Sequence, residues 1–236
     1  MSIDNRLSAC ASLVRHGSLV ADIGSDHAYL PIYLIENGIC PRAIASDINE
    51  GPVARARQNV SDAGLEKLIT VMLADGLDSA SNSAPDDIII AGMGGELIRD
   101  ILSRSEYVKD PGVRLILQPM TMPEVLRTYL YEHGFAVTDE LICRSAGKNY
   151  QIIAAAYDGV PRKISYELSV IGEINSKRIA EKPTESDVLY INTLETALRR
   201  RIVGMKSAEA PDTAAISRDI SLIEYIAKLR GGIIKN

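Results

Sequence analysis

The stretch at residues 18–30, SLVADIGSDHAYL, limits the fold more than any other in this chain. Its apolar run Leu19-Val20-Ala21 has the composition of a strand buried on both faces, as in a parallel sheet. The run stops at Asp22, Gly24 permits a sharp turn, and Ser25-Asp26-His27 lead into a helical pattern at Leu30, Ile32, Leu34 and Ile35. Strand, tight polar turn and helix open a doubly wound α/β domain, whose ligands sit at the carboxyl ends of the strands. The turn holds one glycine and two aspartates. The aspartates oppose a pyrophosphate and suit a ligand bearing positive charge or an amino-acid ammonium group. S-adenosyl-L-methionine carries both.

The unit recurs along the first two thirds of the chain. An amphipathic helix over residues 3–14 precedes it. Further strands are expected at 43–46, 69–73, 87–91 and 113–117, ending in Asp47, Ala74-Asp75-Gly76, Gly92-Met93-Gly94-Gly95 and Gln118-Pro119. Helices are expected at 52–60, with Gly64 past its end, at 96–103, and at 123–132 after Pro123. Two last strands, 135–143 and 150–157, have too short a link for a crossover and must pair antiparallel. The fold class is therefore α/β: a mostly parallel, Rossmann-like sheet with an antiparallel strand inserted near its end. Five polar or glycine-rich turns fall on one edge of that sheet and line one cleft.

From Val160-Pro161 onward the period changes. A helix is expected at 164–180. Val188, Ile191, Leu194, Leu198, Ile202 and Met205 then step by three and four, as do Ile216, Ile220, Ile223 and Ala227. The turn between them offers Asp212 as an N-cap, so the two helices form an antiparallel hairpin with a coiled-coil-like seam. The expected domains are 1–160 and 161–236. Charge divides along the same line, net −8 before residue 161 and net +3 after it. A polyanion partner would then be contacted mainly by the tail. Arg199-Arg200-Arg201 are consecutive and fan over the face away from the seam; Arg99 and Arg104 share the role on the first domain.

Other classes drop out. No apolar run approaches the ~20 residues of a membrane span, and the first residues lack a basic region followed by an apolar core. Cys10, Cys40 and Cys143 are odd in number and far apart, which suits reduced thiols in the cytoplasm. With His16, His27 and His133 scattered, no metal centre is expected. Asp47 is placed to accept from a ribose diol, or simply to form its turn. Asp75 is placed to accept from an adenine amino group with Gly76 against the ring, or the pair is a plain Asp-Gly turn. His27 reads as a base or as a structural donor, and Asp22 as a ligand contact or a cap.

The ordering as a whole is similar to the bacterial tRNA (adenine-22-N1)-methyltransferases, the TrmK family. The resemblance is carried by Val20-Ala21-Asp22-Ile23-Gly24-Ser25-Asp26-His27-Ala28-Tyr29-Leu30-Pro31, Ala74-Asp75-Gly76-Leu77, Ile90-Ala91-Gly92-Met93-Gly94-Gly95 with Leu97-Ile98-Arg99-Asp100, and Leu115-Ile116-Leu117-Gln118-Pro119. It covers residues 1–158 closely and the hairpin in kind. Met120 departs from an Asn that members often carry, and Asp47 stands where others place Glu. The resemblance implies a class I S-adenosyl-L-methionine-dependent methyltransferase domain, a small helical domain, and methylation of adenine N1 in the tRNA D-arm; the chain is expected to act as a monomer. Asp22, Gly24, His27, Asp47, Asp75, Gly76, Ala91, Gly92 and Met93 would hold the cofactor. Asp26 would accept from the adenine N6 amine, and Tyr29 would stack on the displaced base. A small-molecule methyltransferase or a non-catalytic nucleotide-binding regulator would share the cofactor turns. Such a regulator needs no Asp26, Tyr29 and Gln118 at a target pocket.

Overall fold

The computed structural model describes residues 2–78 and 83–232. The outermost residues of the two expected domain ranges, 1 and 233–236, lie outside them. Helix α1 (Asn5–Ala11) leads into β1 (Leu19–Ile23), α2 (Tyr29–Glu36), β2 (Arg42–Asp47), α3 (Glu50–Asp62) and β3 (Ile69–Leu73). Then come β4 (Asp87–Met93), α4 (Gly95–Ser103), β5 (Arg114–Pro119), α5 (Pro123–Glu132), β6 (Phe135–Ser145) and β7 (Lys148–Tyr157). The strands form a seven-stranded sheet in the order β3-β2-β1-β4-β5-β7-β6. Pairing is parallel from β3 through β5 and antiparallel on both sides of β7. The inserted antiparallel strand expected from the sequence is β7. Strand order reverses between β1 and β4, which sets a crevice at their carboxyl ends.

Alternation along the strands explains the layers. Val20, Ile89 and Ile116 enter one core with Cys10, Leu30 and Val60; Ala21, Ile88, Ile90, Leu115 and Leu117 enter the other with Ile98, Leu126 and Leu130. Successive side chains point to opposite faces, so a strand apolar at every position needs helices on both sides.

Helices α6 (Tyr166–Ile171), α7 (Glu173–Glu181), α8 (Glu185–Lys206) and α9 (Thr213–Arg230) complete the chain. They surround a third core of Val170, Ile179, Ile191, Leu198, Leu222 and Ile226, to which β6 contributes Ile142. Asp212 caps α9 by accepting from Ala215 N at 2.9 Å. Helix α8 starts on a reciprocal Thr184–Asp187 capping box. The pairs Arg201–Asp219 and Glu195–Arg230 run in opposite senses, so α8 and α9 are antiparallel.

Three expectations need correction. The single helix at 164–180 is two, broken at Gly172, whose φ is +96° and whose absent side chain makes room for the Glu140 carboxylate 2.2 Å from the Cβ position. Val188 and Ile220 are exposed, and the buried line of α9 runs instead through Ile216, Leu222, Ile226 and Leu229. Arg201 does not face away from the seam: its Nε donates to Asp219 of α9 at 2.6 Å, and that aspartate is buried.

Candidate active site

A cleft of about 300 Å³ opens where β1 and β4 end, lined by Asp22, Gly24, Ser25, Asp26, His27, Tyr29, Ala91 and Gly92, with Arg6 and Leu7 of α1. The turn after β1 is built by its backbone. The N–H groups of Gly24 and Ser25 both donate to the Ser46 carbonyl, at 2.8 and 2.9 Å. Gly24 sits at φ +76°, and a Cβ there would lie 2.2 Å from the Met93 methyl. The positive φ favours glycine here, and the bare turn leaves room for the Met93 side chain from the end of β4.

Asp22 is buried on the floor. Burial pushes its carboxyl up to about 6, while the nearby Ser25 hydroxyl and the Arg6 guanidinium pull it down. The Ser25 and Ser46 hydroxyls are buried without a hydrogen-bond partner, so Ser25 lies near the Asp22 carboxylate without full hydrogen-bond geometry. A buried carboxylate, the orphaned Ser25 hydroxyl and a side-chain-free turn match a ligand with a cationic head and polar groups of its own.

Arg6 carries no signal of its role in the sequence beyond being one arginine on the polar side of an N-terminal helix. It stands on α1, and only the fold carries its Nη1 to the Gln118 Oε1 at 2.8 Å. That oxygen also accepts from Gly92 N at 3.0 Å, so Gln118 ties the ends of β4 and β5 to α1.

Asp26 lies at the exposed mouth, paired with Arg55 of α3 and within 3.2 Å of His27 Nε2. Tyr29 is 40% exposed and stacks on His27, centroids 4.9 Å apart and planes within 8°. The expected cofactor residues divide between neighbouring surfaces. Asp22, Gly24, His27, Ala91 and Gly92 line the cleft, and Met93 covers its Gly24 turn. Asp75 lines a second hollow of about 210 Å³ with Leu77, Ile101 and Arg104. Gly76 beside it is at φ +52°. Asp47 ends β2 between the two, one carboxylate oxygen accepting from Asn49 N at 2.8 Å.

The arginines expected to meet a polyanion are placed unevenly. Arg104 pairs with Asp75 at 3.2 Å, and Arg99 with its neighbour Asp100 at 2.8 Å. Arg199 pairs with Glu195 at 2.6 Å, Arg200 is exposed, and Arg201 braces the hairpin. Among the described residues no helix is long and apolar enough to cross a membrane, and no group of His, Cys, Asp and Glu that could hold a metal ion is present.

Known proteins match this arrangement. A family model described as a methyltransferase domain matches residues 3–153. The tRNA (adenine(22)-N(1))-methyltransferase of Bacillus subtilis is 39% identical over 167 residues, which span 68% of this chain and 70% of that one. A Streptococcus pneumoniae protein crystallised in complex with S-adenosyl-L-methionine superposes with a TM-score of 0.82 at 33% identity, covering 97% of this chain and 100% of that one. M. capricolum TrmK in complex with S-adenosyl-homocysteine superposes with a TM-score of 0.81 at 26% identity, over 99% and 100% of the two chains. The doubly wound sheet and the appended helices recur together over nearly the whole chain, and the chain belongs to the tRNA (adenine(22)-N(1))-methyltransferase family.

Proposed function

We propose that the protein transfers a methyl group to N1 of adenine 22 in the D-arm of tRNA. The observation that carries this reading is the cleft at the β1 and β4 ends. Its floor has the buried Asp22 and the orphaned Ser25 hydroxyl, and its β4 wall, Ala91-Gly92-Met93-Gly94, has no side-chain amide or carboxylate. S-adenosyl-L-methionine, when bound, supplies an electrophilic methyl group. Asp22, Ser25 and Gly24 would hold its amino-acid end, Asp47 its ribose, and Asp75 with Gly76 its adenine.

Adenine N1 already carries an in-plane lone pair, so positioning supplies most of the catalysis and no strong base is needed. The bare β4 wall fits that chemistry, since there is no exocyclic amine to grip and reshape. Asp26 accepts from N6 as positive charge grows on the ring, with Arg55 and His27 orienting its carboxylate. Tyr29, already stacked on His27, offers its outer face to the displaced base. Asp26→Ala is expected to lower kcat on tRNA about tenfold or more while leaving S-adenosyl-L-methionine affinity within about twofold. Equal losses in rate and cofactor affinity would move Asp26 to the cofactor's side.

Residues 161–236 are read as the tRNA-gripping domain on a methyltransferase domain at 1–160, in a monomer acting in the cytoplasm. The support is the net charge of each part, +3 against −8. Arg199 and Arg200 with Arg99 and Arg104 are the proposed phosphate contacts. Arg199→Ala with Arg200→Ala should weaken tRNA binding and make its salt dependence shallower by about one for each phosphate no longer neutralised. Arg201→Ala should act on stability instead. Unchanged affinity and slope in the double variant would reduce these arginines to a solvated face. The activity itself is tested by incubating unmodified tRNA with labelled S-adenosyl-L-methionine: label must enter the tRNA, and no incorporation would contradict the reading.

A further inference from the structure

A further cavity, of about 330 Å³, lies between the sheet and the helical hairpin, apart from the cleft and the Asp75 hollow described above. Its volume is that of a small-ligand pocket, about 300–1,000 Å³. We propose that it is a nucleobase pocket, which takes an unpaired base of the RNA next to the target adenine. This rests on the reading of the protein as an RNA methyltransferase.

Strand β7 is antiparallel to β5, so its first residues lie at the edge where β4 and β5 end. Tyr150 and Met120 therefore line the cavity while Met120 borders the end of β5. In the sheet order β7 is two places from β4, about 10 Å along the edge at the usual strand spacing. A nucleotide adjoining one held at β4 reaches that far. Arg6, which lines the cleft, lies 6.0 Å from the Tyr150 ring centroid, so this pair forms the wall between cleft and cavity.

Tyr150 of β7, Tyr166 of α6 and Tyr190 of α8 are half-buried and border the same space. Every base has a π-face, and aromatic platforms of this kind hold unpaired bases. Arg218 lies 5.9 Å from the Tyr166 centroid, which adds a cation beside the platform. The Asn149 amide oxygen is buried and accepts no hydrogen bond, although its Nδ2 donates to Thr193 at 3.3 Å. An acceptor left open in an aromatic pocket matches an amine or imide N–H on a base edge. The Arg201 guanidinium on the wall is neutralised by Asp219, so the pocket suits the base rather than a second phosphate.

Ala197 lines the rim and is exposed, so Ala197→Trp plugs the cavity from outside without touching the core. Asn149→Leu removes the open acceptor at similar volume. Each is expected to lower kcat/KM on tRNA about 10- to 100-fold, the loss that follows from one stacked base. Affinity for S-adenosyl-L-methionine and the melting temperature should stay as in the unaltered chain. In parallel, tRNA transcribed with 4-thiouridine is crosslinked to the unaltered protein and the attached peptide mapped. A crosslink within residues 149–151, 166 or 190 supports the pocket even if a variant folds poorly; crosslinks confined to other segments overturn it. An Ala197→Trp protein with undiminished kcat/KM on tRNA also overturns it, while the activity reading stands. Absence of methyl transfer by the unaltered chain strikes the activity reading itself.

Discussion

Asp22→Asn is expected to weaken S-adenosyl-L-methionine binding by about 3 kcal/mol, roughly two orders of magnitude, and to make the ligand-free protein more stable. Both effects come from one buried carboxylate. Burial holds its value near 6, above the 3.8 of a free aspartate. The folded chain therefore binds the proton more tightly than the unfolded chain does. Ligand-free stability should fall as pH rises from about 4 to about 6 and then level off. The asparagine variant lacks that slope and should be about 1–3 kcal/mol more stable at pH 7. A cationic ligand head favours the ionised acid, so cofactor affinity in the unaltered chain should be flat above about pH 6 and fall by up to tenfold per unit below it. Calorimetry across that range, beside thermal melts of both proteins, checks the two arms. A variant that binds as tightly as the unaltered chain, or melts lower at pH 7, would show that Asp22 serves the fold and not the ligand.

Arg127→Met is expected to cost about 3–5 kcal/mol of stability, the loss that follows when a buried ion pair is left with one member. Arg127 and Glu140 are both fully buried. The guanidinium donates to Glu140 at 2.6 Å, to Gln151 at 2.5 Å, and to the Ser169 and Val170 carbonyls at the end of α6 at 2.8 and 3.2 Å. Glu140 in turn accepts from Ile174 N at 2.9 Å and Asn175 N at 3.3 Å, at the start of α7. A cation thus sits at one helix's C-terminus and an anion at the next one's N-terminus, the signs each dipole favours. This network fixes the helical part on β6 and α5, and with it any surface that must meet tRNA and the cleft together. Arg127→Met with Glu140→Leu should lose less than the two single changes summed, because neither partner is left alone. Denaturant unfolding of the three variants measures it. A single-variant loss below about 1 kcal/mol would mean that the pair carries little.

The parallel core was legible in the sequence because apolar strands and their punctuation are local. Ile69–Leu73 and Pro123–Glu132 have the bounds expected from the apolar runs and from Pro123. Asp22, Gly24, Asp26 and Tyr29 were found in one turn because that turn is contiguous. What escaped was tertiary. Gly172 is the one local hint of a break, and what makes it one is a carboxylate from Glu140, far back in the chain, packed where a side chain would stand. Arg6 and Arg55 reach the cleft and its mouth from other elements, and no spacing rule links them to it. Arg201 looked like its neighbours Arg199 and Arg200, but Asp219 of α9 is the residue that decides its direction.

The central claim is the reaction and its target atom. Its most direct test is nucleoside mass spectrometry of unmodified tRNA after incubation with the protein and S-adenosyl-L-methionine, with the modified position mapped by reverse-transcription arrest. The account predicts 1-methyladenosine as the product, at position 22. Methylation on N6 instead of N1, methylation confined to another nucleotide, or unmodified tRNA after incubation with cofactor-binding protein would contradict it.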